Sequence, residues 1–184
     1  MQWNKLFAYH KNHFNVLAFL WRAGIFYLLW LLLYHFLLAS HTLLDRFVID
    51  NLIDIASTGL RVIGYELIPN PAENEPIRTI GIDGTHGLWV GDPCNGLTLF
   101  AVFLSFMLAI PGKFLPKIWF IPLGLLCIHL ANATRIMLLT IIVEIDYNYL
   151  DFNHNYTFTI FVYGIIIGLW WWYIKKLSGW YASN

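Results

Sequence analysis

The chain has 184 residues, of which 59% are hydrophobic and only 12% are charged. Soluble domains carry about 25% charged residues, so one soluble core could not bury this much apolar surface, and a single membrane domain over residues 1–184 is predicted. Eleven basic and eleven acidic residues without a basic stripe argue against a nucleic-acid partner, and two cysteines are too few for a disulfide scaffold.

The longest apolar stretches predict an all-α integral membrane protein. A bilayer core of roughly 30 Å needs about 20 apolar residues of helix. About four transmembrane helices are expected, near residues 23–39, 96–110, 118–143 and 156–174. The second is short by itself and needs tilt or its flanking prolines to cross. The fourth ends in an aromatic cluster, Trp170–Tyr173, which is typical of a membrane interface.

Between the first two spans, residues 42–67 predict an amphipathic helix. Apolar residues recur at helical spacing at Leu44, Val48, Leu52, Ile55, Ile63 and Leu67. The opposing stripe is polar: Arg46, Asp50, Asp54, Ser57 and Arg61. Because charges against lipid are costly, we expect this helix on the membrane surface or packed against the bundle, with a span as the weaker alternative.

An outer loop, residues 69–93, follows. Within it Asp83-Gly84 is a hairpin-type turn between two apolar runs, Ile77–Ile82 and Leu88–Val90. These predict a small extracytoplasmic β-hairpin that leads into the second span.

The charges are segregated along the chain. With four spans, seven basic residues fall on one side: Lys5, Lys11, Arg22, Lys113, Lys117, Lys175 and Lys176. The positive-inside rule makes that side cytoplasmic, so both termini are expected in the cytoplasm. All eleven acidic residues fall on the other side. One basic residue, Arg135, lies inside the third span.

Three residues distant in sequence reach the same outer level of the membrane. Cys94 opens the second span, His154 precedes the fourth, and Arg135 lies about 13 Å of helix below Glu144. An intramembrane arginine is a functional hypothesis by default. Cys94 could be a nucleophile, His154 its general base, and Arg135 the group that stabilises an oxyanion.

Each of these residues also has a structural interpretation. Cys94 could be a small buried residue, as Cys127 is expected to be, and His154 an interfacial histidine. Arg135 could pair with Asp151 or Asp92. Other histidines that could act at this face are His86, His41 and His35.

Three neighbours complete the predicted site as substrate-binding residues. Asn132 shares a helix face with Arg135, and Gly96 would let a substrate backbone approach Cys94 and Asn95 closely. The chain has no paired His/Cys metal motif and no phosphate-binding glycine loop, so no metal and no cofactor are predicted.

The order Pro93-Cys94-Asn95-Gly96, then Asn132-Ala133-Thr134-Arg135-Ile136, then His154 resembles the exosortase/archaeosortase family over roughly residues 58–177. These are multi-span membrane proteins with a Cys–Arg–His site on the outer face, and this chain is similar to their compact type. Many members have Ser or Ala where Asn95 stands.

The resemblance implies a membrane cysteine protease or transpeptidase of the bacterial inner membrane. Its substrates would be secreted proteins that end in a short motif, a transmembrane helix and a basic tail. Cys94 would be the nucleophile, Arg135 the oxyanion stabiliser and His154 the acid/base. The alternative is a non-enzymatic scaffold or assembly subunit for export of envelope polysaccharide or protein. The sequence leaves the oligomeric state open.

Overall fold

The computed structural model describes residues 15–38, 43–69 and 78–178. In chain order the elements are α1, Val16–Leu33, with a π-helical turn at Tyr34–Leu38; α2, Leu43–Val62; β1, Thr79–Ile80; β2, Leu88–Trp89; a 3-10 turn, Asp92–Cys94; α3, Leu97–Ala109; α4, Phe114–Ile145; and α5, Tyr147–Leu177. The fold is therefore almost entirely helical, as its composition predicts.

Among the described residues, three helices are long and apolar enough to cross a membrane: Val16–Phe36, Phe114–Ile145 and Tyr147–Leu177. The predicted second span is the helix Leu97–Ala109, which has only 13 residues. At about 1.5 Å per residue it is about 20 Å long, less than the bilayer core of roughly 30 Å. The structure thus confirms an α-helical membrane protein, with three full-length candidate spans and one short apolar helix.

The helix boundaries differ from the predicted ones mainly at the beginnings. The first helix starts at Val16 rather than near residue 23, because the Asn15 side chain caps it by accepting from the N–H of Ala18. The last helix begins at Tyr147 rather than near residue 156, so His154 lies inside that helix and not before it. The predicted third span lies wholly within α4.

The amphipathic helix α2 packs against the bundle through one face. Its buried side chains recur every three or four residues: Val48, Ile49, Leu52, Ile53, Ala56 and Leu60. Two residues of the predicted apolar stripe, Leu44 and Ile63, are exposed instead, so the buried face is rotated from the predicted one. His129 Nε2 of α4 lies 2.7 Å from Asn51 Oδ1 and ties the two helices together.

A two-stranded antiparallel sheet occupies the place of the predicted hairpin. Thr79 pairs with Trp89 and Ile80 with Leu88. Each strand has only two residues, although a further bridge joins Leu67 to Ile82. Residues 70–77 of the predicted outer loop lie outside the described residues.

Two apolar clusters fill opposite ends of the bundle. One joins the buried face of α2 to the sheet and to the second half of α4, at Ala133, Ile136 and Leu139. The other fills the opposite end, where α3, the first half of α4 and the end of α5 meet around Phe103, Phe120, Ile166 and Tyr173.

The four lysines among the described residues, Lys113, Lys117, Lys175 and Lys176, lie at the end of the bundle that holds the second cluster. The Tyr173 hydroxyl of α5 donates to the Lys113 carbonyl before α4, at 3.4 Å. The loop carrying Lys113 therefore meets the end of α5, where Lys175 and Lys176 follow. The pairs Lys113/Lys117 and Lys175/Lys176 thus lie at one end of the bundle. The apolar cluster that α2 forms with the sheet lies at the other end.

Candidate active site

The predicted nucleophile lies in a tight turn just ahead of α3. Asp92–Cys94 form one 3-10 turn, and the Cys94 N–H donates to the Gly91 carbonyl at 2.9 Å. Helix α3 begins three residues later, at Leu97, with Gly96 as its N-cap. Cys94 therefore precedes the helix N-terminus instead of forming it, and it is a half-buried free thiol.

The predicted substrate residues Asn132 and Gly96 contact each other. Asn132 is buried in α4, and its amide nitrogen donates to the Cys94 carbonyl at 2.8 Å. Gly96 has a φ of +82°, and a Cβ there would lie 2.9 Å from that same nitrogen. The small residue at position 96 thus lets Asn132, rather than a substrate backbone, come close to the cysteine turn.

Asn95 lies beneath the turn and links it to the N-terminal part of α2. Its Oδ1 accepts from the Leu97 N–H at 2.8 Å, and its amide nitrogen donates to the buried Asp45. Asp45 also accepts from the Tyr34 hydroxyl at 2.9 Å. These contacts give Asn95 a supporting role, because both ends of its amide are engaged inside the protein.

His154 reaches Cys94 across the bundle. Its Nε2 lies 3.4 Å from the Cys94 sulfur, although the two residues are 60 positions apart. His154 belongs to a π-helical turn, Asn153–Thr157, within α5. Such turns are frequent at functional sites, because they shift the side chains of one turn out of the regular helical order.

Asn155 faces the other nitrogen of the same ring. His154 Nδ1 lies 3.3 Å from Asn155 Oδ1. An amide oxygen can only accept, so this contact is a hydrogen bond when Nδ1 carries the proton of the neutral ring. Nε2 then presents its lone pair to the Cys94 sulfur, which is the arrangement a general base needs.

Arg135 lies beside this pair. Its Nε is buried and makes no hydrogen bond, and in the described part of the chain no acid forms an ion pair with it. Arg135 lines the same small cavity as Cys94. Asp92, one proposed structural partner, pairs with Arg78 instead. The guanidinium is thus available to an anionic group at the cysteine.

One small cavity joins the three residues. Its lining residues are Cys94, Arg135, His154, Ile136, Leu139 and the β2 segment Leu88, Trp89 and Val90. The space open to the centre of a water-sized molecule is about 20 Å³, enough for about one water. Cys94, Arg135 and His154 therefore line one cavity, in keeping with the common membrane depth that the sequence predicts for them.

Other sequence candidates lie away from this cavity. His86 is exposed on the sheet connection, and the His35 ring packs edge-on against Phe36 of the same helix. His41 is outside the described residues. Cys127, in the middle of α4, does not line the cavity. Within the described ranges no group of three His, Cys, Asp or Glu side chains could hold a metal ion.

Comparisons of the chain with protein-family models, with curated proteins and with solved structures find no match.

Three residues that contact or border the candidate site are missing from the sequence prediction. Two of them, Asn155 and Asp45, are polar residues without a sequence pattern that links them to the site. Trp89 was part of an apolar run. Its position beside Cys94 depends on how the sheet folds back onto α4, and local sequence carries no signal for that contact.

Proposed function

We propose that this protein is a membrane-embedded cysteine peptidase or transpeptidase that resembles the exosortase/archaeosortase family. The single observation that carries the proposal is the 3.4 Å approach of the Cys94 sulfur to His154 Nε2, beside Arg135, which forms no ion pair with any described residue. A nucleophile within reach of an oriented base is the signature of covalent catalysis.

In the first half of the reaction, His154 Nε2 takes the thiol proton as the sulfur attacks a peptide carbonyl carbon. The carbonyl oxygen becomes an oxyanion, and Arg135 stabilises that charge in a site poor in water. The intermediate then collapses to a thioester as the carbon–nitrogen bond breaks. The departing amine takes the proton back from His154.

In the second half, water or an amine attacks the thioester and gives a proton to His154. Release of the sulfur, which regains that proton, yields a carboxylic acid with water or a new amide with an amine acceptor. The same site therefore supports hydrolysis and transpeptidation. The acceptor that reaches the thioester decides between them.

The substrates we propose are secreted proteins that end in a short motif, a transmembrane helix and a basic tail. A substrate anchored in the same bilayer is already held near the site, which lowers the entropic cost of meeting the nucleophile. We place the site at the outer face of the bacterial inner membrane, with both termini in the cytoplasm. The clustering of lysines at the opposite end of the bundle supports this orientation.

The decisive experiment follows processing of a co-encoded secreted protein that carries such a C-terminal anchor. Cys94→Ser should abolish processing, and Cys127→Ser is the matched control, because Cys127 lies outside the cavity. His154→Ala should lower the rate by roughly 10²–10⁴-fold, the usual contribution of acid–base catalysis. Normal processing by a stably inserted Cys94→Ser variant would leave the non-enzymatic scaffold as the explanation.

The orientation has its own test. A membrane-impermeant maleimide added to intact spheroplasts should label Cys94 in a Cys127→Ser background. A reporter fused after Lys176 should be active only in the cytoplasm. Labelling of Cys94 only after the membrane is opened would refute the proposed side.

A further inference from the structure

The cavity is bordered on one side by the backbone edge of β2. The Val90 N–H donates to the Arg78 carbonyl at 2.7 Å, and Leu88 pairs with Ile80. Hydrogen-bonded pairs alternate along an antiparallel ladder, so the N–H and C=O of Trp89 point away from β1. No described residue hydrogen-bonds to either group. The strand edge beside Cys94 therefore offers one donor, the Trp89 N–H, and one acceptor, the Trp89 C=O, to another strand.

The Trp89 side chain adds an apolar surface at the same place. It is 66% exposed, while its neighbours Leu88 and Val90 are buried. A Cβ on Gly91 would lie 2.4 Å from the indole ring, so the ring rests on the Gly91 backbone. Gly91 immediately precedes the 3-10 turn that carries Cys94. The ring thus bridges the open edge and the nucleophile.

We propose that β2 is the docking strand for the substrate, which pairs in extended form with the Trp89 backbone and packs an apolar side chain on the indole. This inference rests on the proposed function and names its substrate-recognition element. The occupant is an extended peptide segment, because an unpaired N–H and C=O on a strand edge are what β-augmentation requires. The edge also continues into the cavity that holds Cys94 and His154.

Pairing at this edge would also orient the scissile bond. In an extended chain the N–H and C=O of one residue face the same side and those of the next residue face the other side, so only every second residue of the substrate bonds to β2. The substrate segment then passes Cys94 in one fixed register. The competing occupant of this surface is lipid, which would contact Trp89 as it contacts the residues of an interfacial aromatic belt.

The test measures binding rather than turnover. A fluorescein-labelled synthetic peptide that spans the processed bond of the co-encoded secreted protein is titrated with detergent-purified Cys94→Ala protein. A series of peptides, each N-methylated at one amide, is compared with the parent. We expect weakening of about five- to tenfold where the methyl removes the bond to β2, and little change at the adjacent amides.

Variants of the protein complete the test. Trp89→Ala should weaken binding by at least about tenfold, as loss of an aromatic anchor does, and Trp89→Phe should recover part of it. Gly91→Ala should weaken binding without removing any contact group, because the new methyl displaces the ring. His86→Ala is the matched control, exposed on the same sheet connection but outside the cavity.

The outcomes separate this inference from the proposed function. An N-methyl series without position dependence, or equal affinities for Trp89→Ala and His86→Ala, would overturn the docking strand and favour the lipid contact. Processing that survives Cys94→Ser would instead overturn the peptidase proposal, while the binding series would still decide whether peptides dock on β2.

Discussion

Replacing Gly96 by alanine should destabilise the site, although the substitution adds only one methyl group. Gly96 has a φ of +82°, where an L-residue costs about 1–2 kcal/mol. The new Cβ would also lie 2.9 Å from the Asn132 amide nitrogen. Asn132 would have to move and give up its 2.8 Å bond to the Cys94 carbonyl, which costs about 1–3 kcal/mol for a buried polar group.

Gly84 supplies the matched control for this substitution. Its φ is also +82°, but a Cβ there meets nothing within 4 Å. Gly84→Ala therefore carries the backbone cost of about 1–2 kcal/mol without the Asn132 term. The difference between the two variants isolates the contact between Gly96 and Asn132.

Two measurements follow this prediction. Unfolding of detergent-solubilised protein by urea should show Gly96→Ala destabilised by about 1–3 kcal/mol more than Gly84→Ala. Alkylation of Cys94, in a Cys127→Ser background, should change its rate and pH dependence only in the Gly96 variant, because the turn shifts away from His154. Equal destabilisation and identical alkylation profiles would refute the role assigned to Asn132.

The remaining predictions concern the supports around the site. Asp45→Asn weakens the carboxylate bonds to Tyr34 and Asn95, so the free energy of unfolding should fall by about 1–3 kcal/mol; unchanged urea unfolding would contradict that buried link. The negative charge of Glu144 raises the pKa of Tyr65 above its ordinary value. Glu144→Gln should therefore lower the pKa of Tyr65, and an NMR titration of its ring carbon that shows no downward shift would contradict the contact.

The apolar stretches by themselves determined the membrane class and the approximate position of each helix. Hydropathy sums over many residues, so an error of about seven positions at the start of α1 and about nine at the start of α5 moves a boundary without removing the helix. The same additivity explains why the segment near 96–110 was predicted as a span. Its apolar character is real, but the turn at Asp92–Cys94 and the αL Gly96 shorten the helix to 13 residues.

The rotation of α2 shows that hydrophobic periodicity does not by itself determine which face of the helix is buried. Its sequence offers two overlapping apolar stripes, one through Leu44 and Ile63 and the other through Ile49 and Leu60. Only packing against α4 and the sheet selects the second. A helix can rotate by one residue at small local cost, so neighbouring surfaces decide which face is buried.

The candidate site also combines features that the sequence predicts with contacts that only the tertiary structure shows. Sequence alone predicts that Cys94, Arg135 and His154 lie at one depth, because depth follows from helical rise and chain direction. Only the tertiary structure shows that sulfur and imidazole meet at 3.4 Å and that no described acid pairs with Arg135. Contacts such as Asn95 with Asp45 join residues 50 positions apart. Such pairs form through the packing of whole helices, and that packing leaves no local pattern in the chain.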